Sequence, residues 1–136
     1  MDILKSIMVA ASGLRAQSSR MRIIAENIAN ADSVASQPGG DPYRRKVPTF
    51  RATFDRELGA QVVRTGPVLR DQSDFGQRYE PGHPAANEQG YIQTPNVNSM
   101  VESMDMREAQ RTYQANLNVI NTTRQMVLRT LDILRS

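Results

Sequence analysis

His83 is the only histidine in the chain, it stands between Gly82 and Pro84, and there is no cysteine. A site built on imidazole or thiolate ligands has no second such group to complete it, so a turn is the better reading of this residue. A serine nucleophile lacks a free imidazole to serve as its base. Carboxylates occur in close pairs, Asp55 with Glu57 and Asp105 with Glu108, but each sits among mixed charges where a solvated face is the default. Gly39-Gly40 could face a phosphate; directly before Asp41-Pro42, however, two glycines read as turn formers. No Walker sequence and no G-x-G-x-x-G occurs. We therefore read the chain as no enzyme, with no catalytic, metal or cofactor site.

The remaining chemistry is electrostatic. Arg44, Arg45 and Lys46 are consecutive, and a net charge of +3 with a pI near 9.7 invites a nucleic-acid reading. A basic helical module using those three residues is the alternative function. The distribution of charge argues against it, because residues 1–30 carry four basic and two acidic groups, 31–90 eight of each, and 91–136 five and four. No third of the chain is a basic patch of the kind that tracks a phosphate backbone. The reading therefore includes no nucleic acid and no small-molecule substrate among the partners.

The elements that would position any of these residues are mainly helical. Ser99 followed by Glu102 is a capping-box pattern, so a helix is expected to start near Ser99. From there to Ser136 neither Gly nor Pro interrupts the chain. Its stripe runs through Met106, Ala109, Tyr113, Leu117, Ile120, Val127, Leu131 and Leu134, with a four-residue stutter from Tyr113 to Leu117 and Arg124 on the seam. About 37 residues at 1.5 Å each make a helix of roughly 55 Å. Such a stripe needs an equally long partner.

Residues 3–31 predict that partner. Leu4, Ile7, Ala11, Leu14, Ser18, Met21, Ala25 and Ile28 keep a 3,4 spacing over about eight turns, with Ser18 the polar exception. Gly13 weakens this helix or permits close packing. The amino terminus lacks the basic region of a signal peptide and its periodicity runs on past any cleavage point, so it reads as mature helix. No run approaches the roughly 18 apolar residues of a membrane span.

Between the helices, six of seven prolines and seven of eight glycines fall in Pro38–Gly90. That punctuation predicts loops and short strands. Ala60–Arg64 and Val68–Arg70 are expected as a hairpin around Thr65-Gly66-Pro67, Val47–Phe54 as an extended piece or short helix, Asp71–Gln77 as a mobile polar stretch, and Tyr79–Pro84 as a rigid turn. The expected fold is mainly α: two long terminal helices paired as an axial coiled coil, or helical hairpin, with an irregular short-strand insert. Its segments are 1–31, 32–96 and 97–136, the first and last forming one core domain. Ile3, Met8, Ile24, Met126 and Leu128 flank the seams and would stay partly exposed, which predicts lateral contact with further copies.

At Ala25-Glu26-Asn27-Ile28-Ala29-Asn30-Ala31 the chain resembles the amino-terminal signature of bacterial flagellar rod, hook and hook-associated axial proteins. Pro42-Tyr43-Arg44-Arg45-Lys46, Pro81-Gly82-His83-Pro84, Gly90-Tyr91, Pro95-Asn96 and Arg111–Asn116 are similar to the proximal-rod members of that group. The resemblance implies a structural subunit of the basal-body rod that polymerises helically into the drive shaft crossing the periplasm. It implies copies of itself and other rod proteins as partners. The flagellar type III export apparatus would be a partner in transit, reached through an uncleaved amino-terminal signal. The Asn27–Asn30 turn is the expected link from axial helix to insert, its amides bonding local backbone.

Overall fold

A computed structural model describes residues 2–136; Met1, part of the predicted 1–31 segment, lies outside them. Two helices bracket six short strands: α1 (Ile3–Ala29), β1 (Lys46–Val47), β2 (Phe50–Asp55), β3 (Ala60–Thr65), β4 (Leu69–Arg70), β5 (Gly76–Tyr79), β6 (Tyr91–Thr94) and α2 (Ser99–Arg135). The strands pair only as antiparallel two-stranded ribbons, β1 with β4, β2 with β3, and β5 with β6. Ribbons of two strands are marginal alone and need a helix to pack on.

The predicted hairpin around Thr65-Gly66-Pro67 does not form. Ala60–Thr65 pairs with Phe50–Asp55, and Leu69–Arg70 pairs with Lys46–Val47. The reason lies at Thr49: its carbonyl accepts from Gly66 N–H at 2.8 Å and its hydroxyl donates to the Pro67 carbonyl at 2.6 Å. Gly66 and Pro67 thus pass alongside the Thr49 link between β1 and β2 instead of reversing the chain. The true β2–β3 turn is made by Asp55, whose carboxylate accepts from Glu57 N–H and Leu58 N–H, and by Gly59 in the left-handed region at φ 63°. Of the Asp71–Gln77 stretch, Gly76 and Gln77 belong to β5.

The start of α2 also differs in its cap. Asn98, not Ser99, accepts from the orphan donors of the first turn, with Oδ1 3.1 Å from Met100 N and 3.3 Å from Val101 N. Glu102 is therefore released from the predicted capping box and is 1% exposed.

The chain gathers into two compact units, each holding part of both helices and part of the insert. One comprises the chain up to Met21, Thr49–Pro67 and Arg107–Ser136. Its core is small-sided: Ala10, Ala16, Val62 and Ala109 are buried. The Ser12 hydroxyl donates to the Val9 carbonyl and accepts from Val63 N–H at 3.1 Å, fastening β3 to α1. The other unit comprises Arg22–Pro48 and Val68–Met106 and buries Ile23, Ile24 and Ile92. Ile24, expected on an exposed flank, is only 3% exposed. Each such side chain, fully buried, contributes about 1.5–3 kcal/mol.

Candidate functional site

The second unit brings the residues of the amino-terminal signature, the basic run and the segment before α2 onto one buried polar network. Its centre is Asn27, with no exposed surface. Asn27 Oδ1 accepts from Tyr43 Oη at 2.8 Å and from Lys46 N–H at 3.0 Å, while Nδ2 donates to the Lys46 carbonyl at 2.9 Å and to Glu102 Oε2 at 3.2 Å. The amide thus spends both its oxygen and its nitrogen on the 43–46 segment and on α2, a long-range role in place of the local backbone bonding expected of it. Asn30 keeps the expected role, donating to the Glu26 carbonyl at 2.9 Å just past the end of α1.

Arg45 is the second hub. Its Nε donates to Glu102 Oε1, while its terminal nitrogens reach Asp71 at 3.4 Å and Asp105 at 3.9 Å. Burial works to lower the guanidinium pKa, but the hydrogen bond and charge of Glu102, helped by Asp71, outweigh it and hold Arg45 above its ordinary value. Asp71 is held below the ordinary carboxylate range, chiefly by the backbone N–H and hydroxyl of Ser73 and further by Arg45. Burial pushes the Tyr43 phenol up, with Glu26 and Glu102 adding to the effect.

Asn96 closes the network on the other side, accepting from Arg45 N–H at 2.7 Å and donating to the Asp71 and Ser73 carbonyls at 3.0 and 3.1 Å. Arg44 donates to those same two carbonyls at 2.8 and 3.2 Å and lies 4.2 Å over the Phe75 ring. Lys46 pairs with Glu26. All three basic residues of the run are therefore engaged within the chain.

The other marked residues are turn and packing elements. Pro42, Pro95 and Gly90 are buried. Gly90 has φ 86°, and a Cβ there would meet Tyr79 Cε2 at 2.8 Å. Tyr91 meets Tyr79 edge to face, with ring centroids 5.2 Å apart. In the Pro81-Gly82-His83-Pro84 turn, His83 N–H donates to the Glu80 carbonyl and its Nδ1 accepts from Ala85 N–H, both at 3.0 Å. Of the carboxylate pairs, Asp55 belongs to its hairpin turn and to Arg64, Asp105 to Arg45, and Glu108 to Arg20.

The predicted seam residues fall on the helices as follows. On α2, Ala109 is buried, Met106, Tyr113, Leu117, Ile120 and Val127 are half-buried, and Leu131 and Leu134 are exposed. On α1, Ile7, Ala11, Leu14, Met21 and Ile28 are half-buried, with Leu4 and Ala25 exposed. The line that α1 buries within the chain runs instead through Ala10, Ala16, Ile23, Ile24 and Asn27. Side-chain size explains the choice in the first unit: small groups at Ala10 and Ala16 admit the β2–β3 ribbon. Among the described residues no helix is long and apolar enough to cross a membrane.

Comparison with known proteins places this geometry in context. The family described as flagella basal body rod protein matches residues 7–35, and that described as flagellar basal body rod FlgEFG protein C-terminal matches residues 88–133. The flagellar basal-body rod protein FlgC of Agrobacterium fabrum is 48% identical over 128 residues, covering 94% of this chain and 92% of that protein. FlgC of Escherichia coli O6:H1 is 39% identical over 133 residues, covering 98% of each chain. FlgC of Bacillus subtilis is 35% identical over 148 aligned positions, covering 98% of this chain and 99% of that one.

Proposed function

We propose, for a chain that belongs to the flagellar basal-body rod protein family and is a structural subunit of that rod, that α1 and α2 are its axial helices and pair as a coiled-coil core domain of residues 1–31 and 97–136. The 32–96 insert is carried on that core. The seam residues of both helices are completed by neighbouring copies and by other rod proteins, and the polymer transmits torque across the periplasm. The chain reaches this place unfolded, through the flagellar type III apparatus, with its amino terminus uncleaved. The absence of cysteine suits threading. A rod subunit of this kind carries no catalysis.

One observation supports the assembly reading above the others. The last turns of a 37-residue helix hold Leu131, Ile133 and Leu134 at 50%, 74% and 77% exposure. Exposed apolar side chains clustered on one helix end support the reading of an interface with another protein. The test is complementation of cells that lack this protein with Ile120→Asp and Leu131→Asp variants. Swimming and isolated rods are expected to be lost while export continues. Normal rods in both variants would overturn the seam.

A further inference from the structure

In the first unit α1 and α2 run in opposite directions, in a register set by two contacts. A Cβ on Gly13 would lie 2.6 Å from Asn116 Nδ2, and Arg20 pairs with Glu108 at 3.7 Å. Continued at equal rise, that register brings Ile3, the first residue of α1, level with about residue 126 of α2. The remainder of α2, roughly nine residues or ~14 Å, overhangs the start of its neighbour. Val127 at its start is half-buried, but the apolar side chains beyond it are open among the described residues, with Leu128 at 51% exposure, Leu131 at 50% and Leu134 at 77%.

The same unit contains a groove of about 720 Å³, walled by Ala10 and Gly13 of α1, Gly59 and Ala60 of the β2–β3 turn, and Val119 of α2. Asp2 and Lys5 also line it, and so does Gln17. The Oε1 of Gln17 is buried without a hydrogen-bond partner. The groove therefore has a small-sided apolar wall bordered by one acid, one base and the uncharged polar side chains of Ser6, Gln17, Thr112 and Asn116.

The geometry points to this groove as the seat of the overhanging α2 end of a second copy of the chain. Leu128, Leu131 and Leu134 supply the apolar filling, Asp132 and Arg135 answer Lys5 and Asp2, and Thr130 or Arg129 offers Gln17 Oε1 a donor. Groove and overhang are different surfaces of one molecule, so the contact is heterologous and repeats into an open polymer instead of closing as a dimer. This inference rests on the rod-subunit reading and adds to it the two surfaces through which copies join.

The cysteine-free chain makes the test direct. Val119 and Leu131 are 47% and 50% exposed, so cysteine at either position removes little buried packing. They lie twelve positions apart on one helix, about 18 Å, beyond the span of any disulfide. In the full-length V119C/L131C chain every disulfide must therefore be intermolecular. Oxidation of assembled protein is expected to give a ladder of multimers, whereas V119C alone and L131C alone, each with no cysteine opposite it across the contact, are expected to stay monomeric. A double variant that restores swimming yet forms no ladder, or that cross-links only to a different protein, overturns the inference while leaving the rod reading intact. Charge reversal gives a second measurement: Lys5→Glu should lose sedimentable polymer and Asp132→Lys should restore it. Failure of that rescue would count equally against the pairing.

Discussion

Arg45 and Glu102, 57 positions apart in sequence, join through Arg45 Nε in the most deeply buried ion pair among the described residues, the Glu102 side chain being 1% exposed. A carboxylate so far from water is tolerable only while its oxygens are answered, here by Arg45 and by Asn27 Nδ2. Removing one partner leaves an uncompensated charge, whereas removing both leaves an apolar contact. Arg45→Met is thus expected to lower stability by about 3 kcal/mol, and Arg45→Met with Glu102→Leu to recover most of that loss. Urea denaturation followed by far-ultraviolet circular dichroism measures both. An additive double variant would refute the coupling.

Asn27 gives a sharper test because the change is nearly isosteric. Asn27→Asp replaces a donor to Glu102 by a second carboxylate about 3.2 Å away. Two carboxylates sharing a buried site cannot both ionise cheaply, so one pKa rises. The native form of the variant then favours the protonated state: its penalty is greatest at neutral pH, about 3 kcal/mol, and shrinks as pH falls through the raised value. The stability gap between wild type and variant, measured from pH 7 to pH 5, is expected to narrow.

What the chain discloses before folding depends on whether a signal is local. The periodicity of both helices placed α1 and α2 to within two residues at their starts and ends, because amphipathic spacing over many turns is read without knowing the partner. The roles of Asn27, Arg45 and Asn96 were not legible, although all three stand out as family marks: each bonds groups 19 to 75 positions away. The β2–β3 pairing was missed for the same reason, since Thr65-Gly66-Pro67 carries strong turn chemistry and only the distant Thr49 overrides it. Ser12, which fastens β3 to α1, carries no sequence signal beyond a hydroxyl in a helix.

Asp71 supplies a pH dependence of opposite sign to that of the Asn27→Asp variant. Its pKa is lowered in the folded chain, first by Ser73 and then by Arg45. The stabilisation it gives is therefore fully present above the ordinary carboxylate pKa of about 3.9 and is lost as pH falls through the lowered folded value. Asp71→Asn removes that term. Denaturation midpoints of wild type and Asp71→Asn should differ at pH 6 and converge as pH falls below the ordinary carboxylate range. A constant difference would mean that Asp71 acts by shape and not by charge.

Two glycines separate steric space from backbone strain. Alanine at Gly13 adds roughly 1 kcal/mol of helix propensity, but its Cβ would sit 2.6 Å from Asn116 Nδ2. That nitrogen ends a flexible side chain, so the amide can swing aside. Gly13→Ala is expected to be close to neutral in the wild-type background and to stabilise by about 1 kcal/mol once Asn116→Ala has cleared the space. Gly90 allows no such relief. Its φ is 86°, and a Cβ there would meet Tyr79 Cε2 at 2.8 Å and Pro81 Cβ at 3.1 Å, with the Tyr79 ring braced against Tyr91. Gly90→Ala should therefore cost about 2 kcal/mol from the left-handed backbone and the clash together, and Tyr79→Ala should return only the steric part. Full rescue by Tyr79→Ala would show that space alone, and not backbone conformation, requires glycine there.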